Sequence, residues 1–173
     1  MSLTSNLEIK KLTRESIQTA LILLLQEKKW EDITITNIVE RAGVSRMAYY
    51  RNYESKEDIL KDISDDFMAK LTEITLPYIQ AKKWYDYWKI IFDYIAQEVE
   101  SSKLLLGYNY KVFFLDYLND FCSNRLEDCS ISEHYRIYGQ IGLFFNIIVE
   151  WIENDMPISS EELAQICFEL VNI

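Results

Sequence analysis

An all-α protein is predicted, with an N-terminal three-helix helix-turn-helix domain followed by a larger helical body. Three observations carry this expectation. Glycine and proline are scarce, four and two among 173 residues, which suits long helices and disfavours turn-rich sheets. Apolar residues recur at three- and four-residue spacing through most of the chain, the period of a helix face. Between Ile33 and Lys56, start and stop signals bracket two short helices joined by a glycine-containing turn.

The elements follow in order. Residues 1–12 read as a frayed arm, with Lys10, Lys11 and Arg14 within reach of a phosphate backbone. Thr13 is the expected cap of a first helix whose Ile17, Ala20, Leu21, Leu24 and Leu25 form a core stripe. Trp30 and Ile33 follow in a connector that seals a three-helix core. Thr34 then caps a helix carrying Ile35, Ile38, Val39 and Ala42 on one face, and Gly43 stops it. Ser45 caps the next helix, from Arg46 to about Asn52. Two short helices joined by such a turn are a helix-turn-helix. Its second helix carries Arg46, Tyr49, Tyr50, Arg51 and Asn52, side chains that reach phosphates or base edges. Arg46 and Arg51 are roughly 140° apart around a helix, so one of them is expected on a phosphate. The stretch therefore reads as a DNA-binding element. Ser55 caps a fourth helix with Glu57 and Asp58 in its first turn, where the helix dipole favours acids. Ile59, Ile63, Phe67, Leu71 and Ile74 line one face of it, and Pro77 marks its expected end.

The body reads as helices over about 85–100, 102–106, 109–128, 132–154 and 159–173. The last has the clearest start: Ser159 and Glu162 form a capping box, Ile158 and Leu163 a hydrophobic staple, and Pro157 bars an earlier start. The preceding helix, with GLFFNIIVEWI, is apolar nearly all round, the pattern of a helix buried on more than one side. A homodimer is expected, with the helices at about 132–154 and 159–173 of each subunit forming a four-helix interface. The domains are placed at 1–55, helix-turn-helix, and 56–173, regulation and dimerisation.

Net charge is −10, yet it is unevenly spread: residues 1–70 carry a net −1 and residues 71–173 a net −9. Across 33–56, Arg41, Arg46, Arg51 and Lys56 face only Glu40 and Glu54. The basic residues concentrate on the helix-turn-helix, while the acidic body repels DNA and orients the molecule. Cys122, Cys129 and Cys167 lie in apolar surroundings and read as reduced core thiols. With no CxxC pair and His134 the only histidine, no metal site is expected. No secretion signal or bilayer-spanning run is visible, so a soluble, cytoplasmic protein is expected. Enzymatic function finds no support, for there is no glycine-rich phosphate loop and no ordered nucleophile–base pair.

The body is rich in aromatic residues, which fit either a plain core or a cavity for a small-molecule inducer. Buried phenols need polar partners that a ligand supplies. The candidate lining is Trp88, Phe92, Tyr110, Phe114, Tyr117 and Phe145. Gly139 and Gly142 fit a phosphate-clamping GxxG or, more simply, close helix packing.

Gly43-Val44-Ser45-Arg46, the pair Tyr49-Tyr50, Tyr53 and Ser55-Lys56-Glu57-Asp58-Ile59-Leu60 resemble the TetR family of bacterial transcriptional regulators. Thr34-Ile35-Thr36-Asn37-Ile38-Val39 fits the family's second helix, and the likeness covers roughly residues 10–65. The resemblance implies about nine helices, a homodimer, a near-palindromic double-stranded DNA operator and, as a rule, repression of nearby genes. It implies that Tyr50 and Lys56 hold phosphates and that Thr34 or Thr36 anchors the second helix on the backbone. Arg46 is the candidate base contact, since arginine reads guanine bidentately. The full candidate set is Thr34, Thr36, Ser45, Arg46, Met47, Tyr49, Tyr50, Arg51, Asn52 and Lys56, with Tyr49 open between a DNA contact and a place in the core. Three departures concern base reading: Met47 where Gly or Ala is common, Tyr49 where an apolar core residue is common, and Arg51-Asn52 where aromatic or His residues often appear. The alternative is a co-activator or protein-interaction module of the same fold that does not bind DNA itself.

Overall fold

The computed structural model describes residues 3–106, 111–123 and 129–171. Among these, the chain forms nine α-helices, one 3-10 turn and no strand. The helices are α1 (Leu3–Glu27), α2 (Ile35–Ala42), α3 (Arg46–Tyr50), α4 (Lys56–Gln80), α5 (Trp84–Gln97), α6 (Val99–Leu106), α7 (Lys111–Ser123), α8 (Ile131–Glu153) and α9 (Ser160–Val171), with the 3-10 turn at Trp30–Asp32. Two compact units result, Met1–Asp66 and Phe67–Ile173, and α4 runs through the boundary between them.

In the first unit α1 packs on α2 and α3, and α2 on α3. Ile17, Leu21, Ile33, Ile38 and Ile59 are almost wholly buried and form its centre, joined by Ala20, Leu24, Leu60 and Tyr53. Each such aliphatic side chain contributes about 1.5–3 kcal/mol by leaving water. Two expectations are corrected here. Thr13 does not start α1; the helix begins at Leu3, and the Thr13 hydroxyl donates to the Ile9 carbonyl one turn back. Pro77 does not end α4, which continues to Gln80, with Ala81 donating to the Pro77 carbonyl. A proline this close to a helix end removes one hydrogen bond and leaves the last carbonyls available.

In the second unit the most extensive packing is α5 against α9, with α6 on α8, α7 and α5, and α7 on α8. Trp88, Ile91, Phe92 and Ile95 form the buried face of α5, and Leu163, Ala164 and Cys167 that of α9. Lys89 ties the two helices by pairing with Asp93 at 2.6 Å and Glu161 at 3.1 Å. The expected helix at 85–100 is two helices, broken at Glu98, whose φ −95° and ψ 45° leave the helical region. The expected helix at 109–128 is seen over Lys111–Ser123. Tyr110 and the side chain of Cys122 lie outside the described residues. Helix α8 starts earlier than expected, at Ile131, because Ser130 and Glu133 form a capping box. Its Phe144, Phe145, Val149, Trp151 and Ile152 are buried, while Ile131, Tyr135 and Leu143 are exposed. A side chain built at Gly139 or Gly142 would meet nothing within 4 Å among the described residues, so neither glycine serves a close approach between described segments. The α8–α9 corner holds two consecutive left-handed residues, Asp155 at φ 55° and Met156 at φ 54°. Trp151 closes this corner by donating its indole N–H to the Ile158 carbonyl at 2.9 Å. Among the described residues no helix is long and apolar enough to cross a membrane.

Three helix starts use the same chemistry. Hydrogen bonds from the Ser55 backbone N–H, the Ser130 hydroxyl and the Ser159 backbone N–H hold Asp58, Glu133 and Glu162 below their ordinary values. Because the folded values are depressed, the stabilisation is complete above the ordinary values of 3.8 and 4.5 and is lost as pH falls through and below them. Thermal unfolding followed from pH 7 to pH 3 is expected to give a flat midpoint that declines only in the acid range. Glu162→Gln, which keeps a capping side chain without the charge, is expected to shallow that decline. An unaltered acid slope in the variant would remove Glu162 as a contributor.

Candidate nucleic-acid interface

The helix-turn-helix is built by local hydrogen bonds that the residue types dictate. The Thr34 hydroxyl accepts from the Asn37 N–H at 3.2 Å, and Asn37 Oδ1 accepts from the Thr34 N–H at 3.1 Å. This reciprocal box fixes the start of α2. At its end Gly43 takes φ 66° and ψ 26°, the left-handed conformation that costs glycine little and other residues about 1 kcal/mol or more. Val44 then donates back to the Val39 carbonyl at 3.1 Å, which turns the chain sharply into α3. Ser45 caps α3 by accepting from the Ala48 N–H at 3.1 Å.

Helix α3 is shorter than expected, ending at Tyr50, with Arg51 as its cap residue. Its five residues sort cleanly by burial. Tyr49 is 0% exposed, whereas Met47 is 66% and Tyr50 58% exposed, and Arg46 and Arg51 are exposed too. Of the two places open to Tyr49, the structure takes the core, which removes it from the candidate DNA contacts. It packs edge-on against Tyr50 at 5.3 Å and beside Tyr53 at 6.1 Å. Burial, together with the nearby Tyr50, Asp58 and Glu57, pushes the Tyr49 phenol up to about 12. Its hydroxyl is buried with no hydrogen-bond partner among the described residues.

The other candidate side chains take specific positions. Arg46 Nη2 donates to Thr36 Oγ1 at 2.6 Å, which brings a residue of α2 and one of α3 together across the turn and steers the guanidinium. Arg51 reaches the Met47 sulfur at 3.5 Å. Asn52 is half-buried, and its amide donates to the Ala48 carbonyl at 2.8 Å. Thr34 and Ser45 are exposed and Thr36 half-buried. Lys56 departs from expectation. Its Nζ donates to the Trp30 carbonyl at 2.6 Å and the Ile33 carbonyl at 3.1 Å, and sits 4.2 Å from the centre of the Trp30 ring. The ammonium is thus directed at the connector between α1 and α2, not outward to a phosphate. Arg14 is likewise engaged, with Asp62 and Asp66. Neither tie has a local sequence signal, since the partners lie 23 to 52 residues apart.

Two family models match this chain. Residues 82–173 match the one described as the transcriptional regulator C-terminal region (TetR_C_8), and residues 19–63 the one for bacterial regulatory proteins of the tetR family. The chain belongs to the TetR family. The amino-terminal match brackets the helix-turn-helix, the domain that implies DNA binding in this family. This TetR-family transcriptional regulator is similar to the uncharacterized HTH-type transcriptional regulator YxbF of Bacillus subtilis (strain 168), at 24% identity over 166 residues. That alignment takes in 90% of this chain and 44% of the relative, so the chain spans less than half the relative's length. The crystal structure of a TetR transcriptional regulator from Streptococcus agalactiae 2603V superposes with a TM-score of 0.68 at 23% identity, over 98% of this chain and 99% of that one. The likeness shows the shared fold.

The candidate ligand lining is distributed. Ring contacts group Trp88 and Phe92 with Phe144 and Trp151, and Phe114 and Tyr117 with Phe67 and Phe121. Phe145 is buried.

Proposed function

We propose that this TetR-family regulator binds a near-palindromic operator as a homodimer and represses the genes beside it. The observation that carries the reading is the sorting of α3: Tyr49 anchors the helix from within, and Arg46, Met47, Tyr50 and Arg51 stand in solvent. A short helix with one buried ring and several exposed donors at and around it suits the major groove, which admits a helix and distinguishes all four base pairs. Arg46, steered by Thr36, takes the base-reading role. Tyr50, Arg51 and the exposed Thr34 and Ser45 take phosphates, as contacts that position without specifying.

Dimerisation through α8 and α9 is supported by the exposed Leu143, Ile166 and Leu170 and by the open space at Gly139 and Gly142. A second copy would cover these surfaces. A small-molecule inducer among the aromatic residues of the body would release the operator by binding one arrangement of the dimer better than the other.

Operator selection from random DNA with the purified protein, followed by mobility-shift titration, tests the reading. Sequence-specific binding that weakens steeply with salt is expected, together with a dimer in sedimentation at micromolar concentration. Arg46→Ala is expected to relax preference at one base position, a discrimination of about 1–3 kcal/mol. Tyr50→Ala is expected to weaken all sequences alike. Unchanged selectivity in Arg46→Ala would remove that residue from base reading. Failure to select any DNA would favour a protein-interaction module of the same fold.

A further inference from the structure

One polar cluster in the first unit joins three segments that are distant in sequence. Arg14 of α1 donates from Nη2 to Asp62 at 2.5 Å and to Asp66 at 2.9 and 3.0 Å, and from Nε to Asp62. Gln18, one turn further along α1, donates to Asp66 at 2.9 Å and Asp62 at 3.2 Å. Tyr53, just beyond α3, donates its hydroxyl to the same Asp62 carboxylate. The Asp62 side chain is 20% exposed and Tyr53 only 5%. The Tyr53 N–H in turn donates to the Tyr49 carbonyl at 3.0 Å, so the residue that holds the carboxylate also closes the end of the recognition helix.

This arrangement does more than packing requires. A phenylalanine ring would fill the Tyr53 site, and two carboxylates one helical turn apart repel each other until Arg14 lies between them. Partly buried ionic groups are weak sources of stability but strict about geometry. Helix α3 spans five residues, too few to hold its own orientation, and apolar contacts are non-directional. Its exit angle therefore depends on a directional anchor, and the Tyr53–Asp62 hydrogen bond supplies one.

We infer that Asp62 is a positioning residue for DNA recognition, fixing the exit of α3 through the Tyr53 hydroxyl while Arg14 holds the carboxylate in place. The inference rests on the DNA-binding reading of α3 given above.

The full chain, Tyr53→Phe, Asp62→Asn and the double variant are compared on the operator selected with the wild type, and on random DNA. All are measured well below each variant's unfolding midpoint. Tyr53→Phe is expected to lose operator affinity about tenfold, the scale of one charge-assisted hydrogen bond. Affinity for random DNA and the salt slope are expected to stay unchanged. Asp62→Asn should lose at least as much, and the double variant no more than Asp62→Asn alone, because the two act through one contact. A Tyr53→Phe protein with a lowered midpoint but full operator affinity would reduce the cluster to a structural role and overturn the inference. An equal loss on random DNA would overturn it too. If Asp62→Asn does not fold, Tyr53→Phe decides alone. A wild type that selects no DNA defeats the DNA-binding reading itself, an outcome distinct from selective binding left intact in Tyr53→Phe.

Discussion

Tyr49→Ala is expected to unfold much of the first unit, and Tyr49→Phe to make it more stable. The alanine variant removes a ring that is 0% exposed from the contact with Tyr50 and Tyr53. Truncating a buried aromatic costs about 3–5 kcal/mol, comparable to the whole stability of a small domain. The phenylalanine variant keeps the ring and removes only a hydroxyl that is buried without a partner among the described residues. Such an atom carries a desolvation penalty of about 1–3 kcal/mol, part of which the variant recovers. Calorimetric midpoints of the two variants on either side of wild type would show both effects. The pH dependence adds a check with a definite sign. A phenol raised from 10.0 to about 12 in the folded chain stabilises fully below pH 10, and that contribution fades as pH rises through this interval. Tyr49→Phe should lose part of the alkaline sensitivity. A phenylalanine variant less stable than wild type at neutral pH would mean that the hydroxyl is satisfied in solution.

Lys56→Ala is expected to act on folding and not on phosphate binding. The ammonium donates to two connector carbonyls and lies over the Trp30 ring. Removing it leaves both carbonyls without this donor and ends a cation–π contact, a loss of about 2 kcal/mol for a partly exposed group. A lysine on a phosphate would behave differently. Its removal would lower the slope of log affinity against log salt by about 0.9 and leave the unfolding midpoint in place. The expected outcome is a lower midpoint with an unchanged slope, measured on protein kept well below that midpoint. Lys56→Met, which retains the apolar stem against Trp30, should recover part of the stability. A reduced slope with an unchanged midpoint would return Lys56 to the DNA.

Much of the helix-turn-helix was legible because its signals are local. Thr34, Gly43 and Ser45 act through partners within four residues, so residue type and spacing were enough to place them. The same held for Ser159 with Glu162. Ser130 with Glu133 repeats that spacing and fixes the start of α8 in the same way. Pro77 has the sequence signature of a stop because proline cannot donate, but one missing donor near a helix end is tolerated. The break at Glu98 carries neither glycine nor proline, so no residue type marks it. The site divides in the same way. Arg46, Met47, Tyr50 and Arg51 were marked by type, whereas the inward turn of Tyr49 and the ties of Lys56, Arg14 and Asp62 depend on residues brought together only by folding. At Tyr49 residue type leaves contact and core equally open, and only the folded packing decides for the core.

The corner at Asp155 and Met156 limits how this chain can vary. Two successive residues held at φ 55° and 54° sit where a Cβ is crowded by the neighbouring carbonyl, at roughly 1–2 kcal/mol each. Valine, isoleucine and threonine, with a second branch at that carbon, suffer most, while asparagine and glycine fit with least resistance. Substitutions at these two sites are therefore best borne by small or amide side chains.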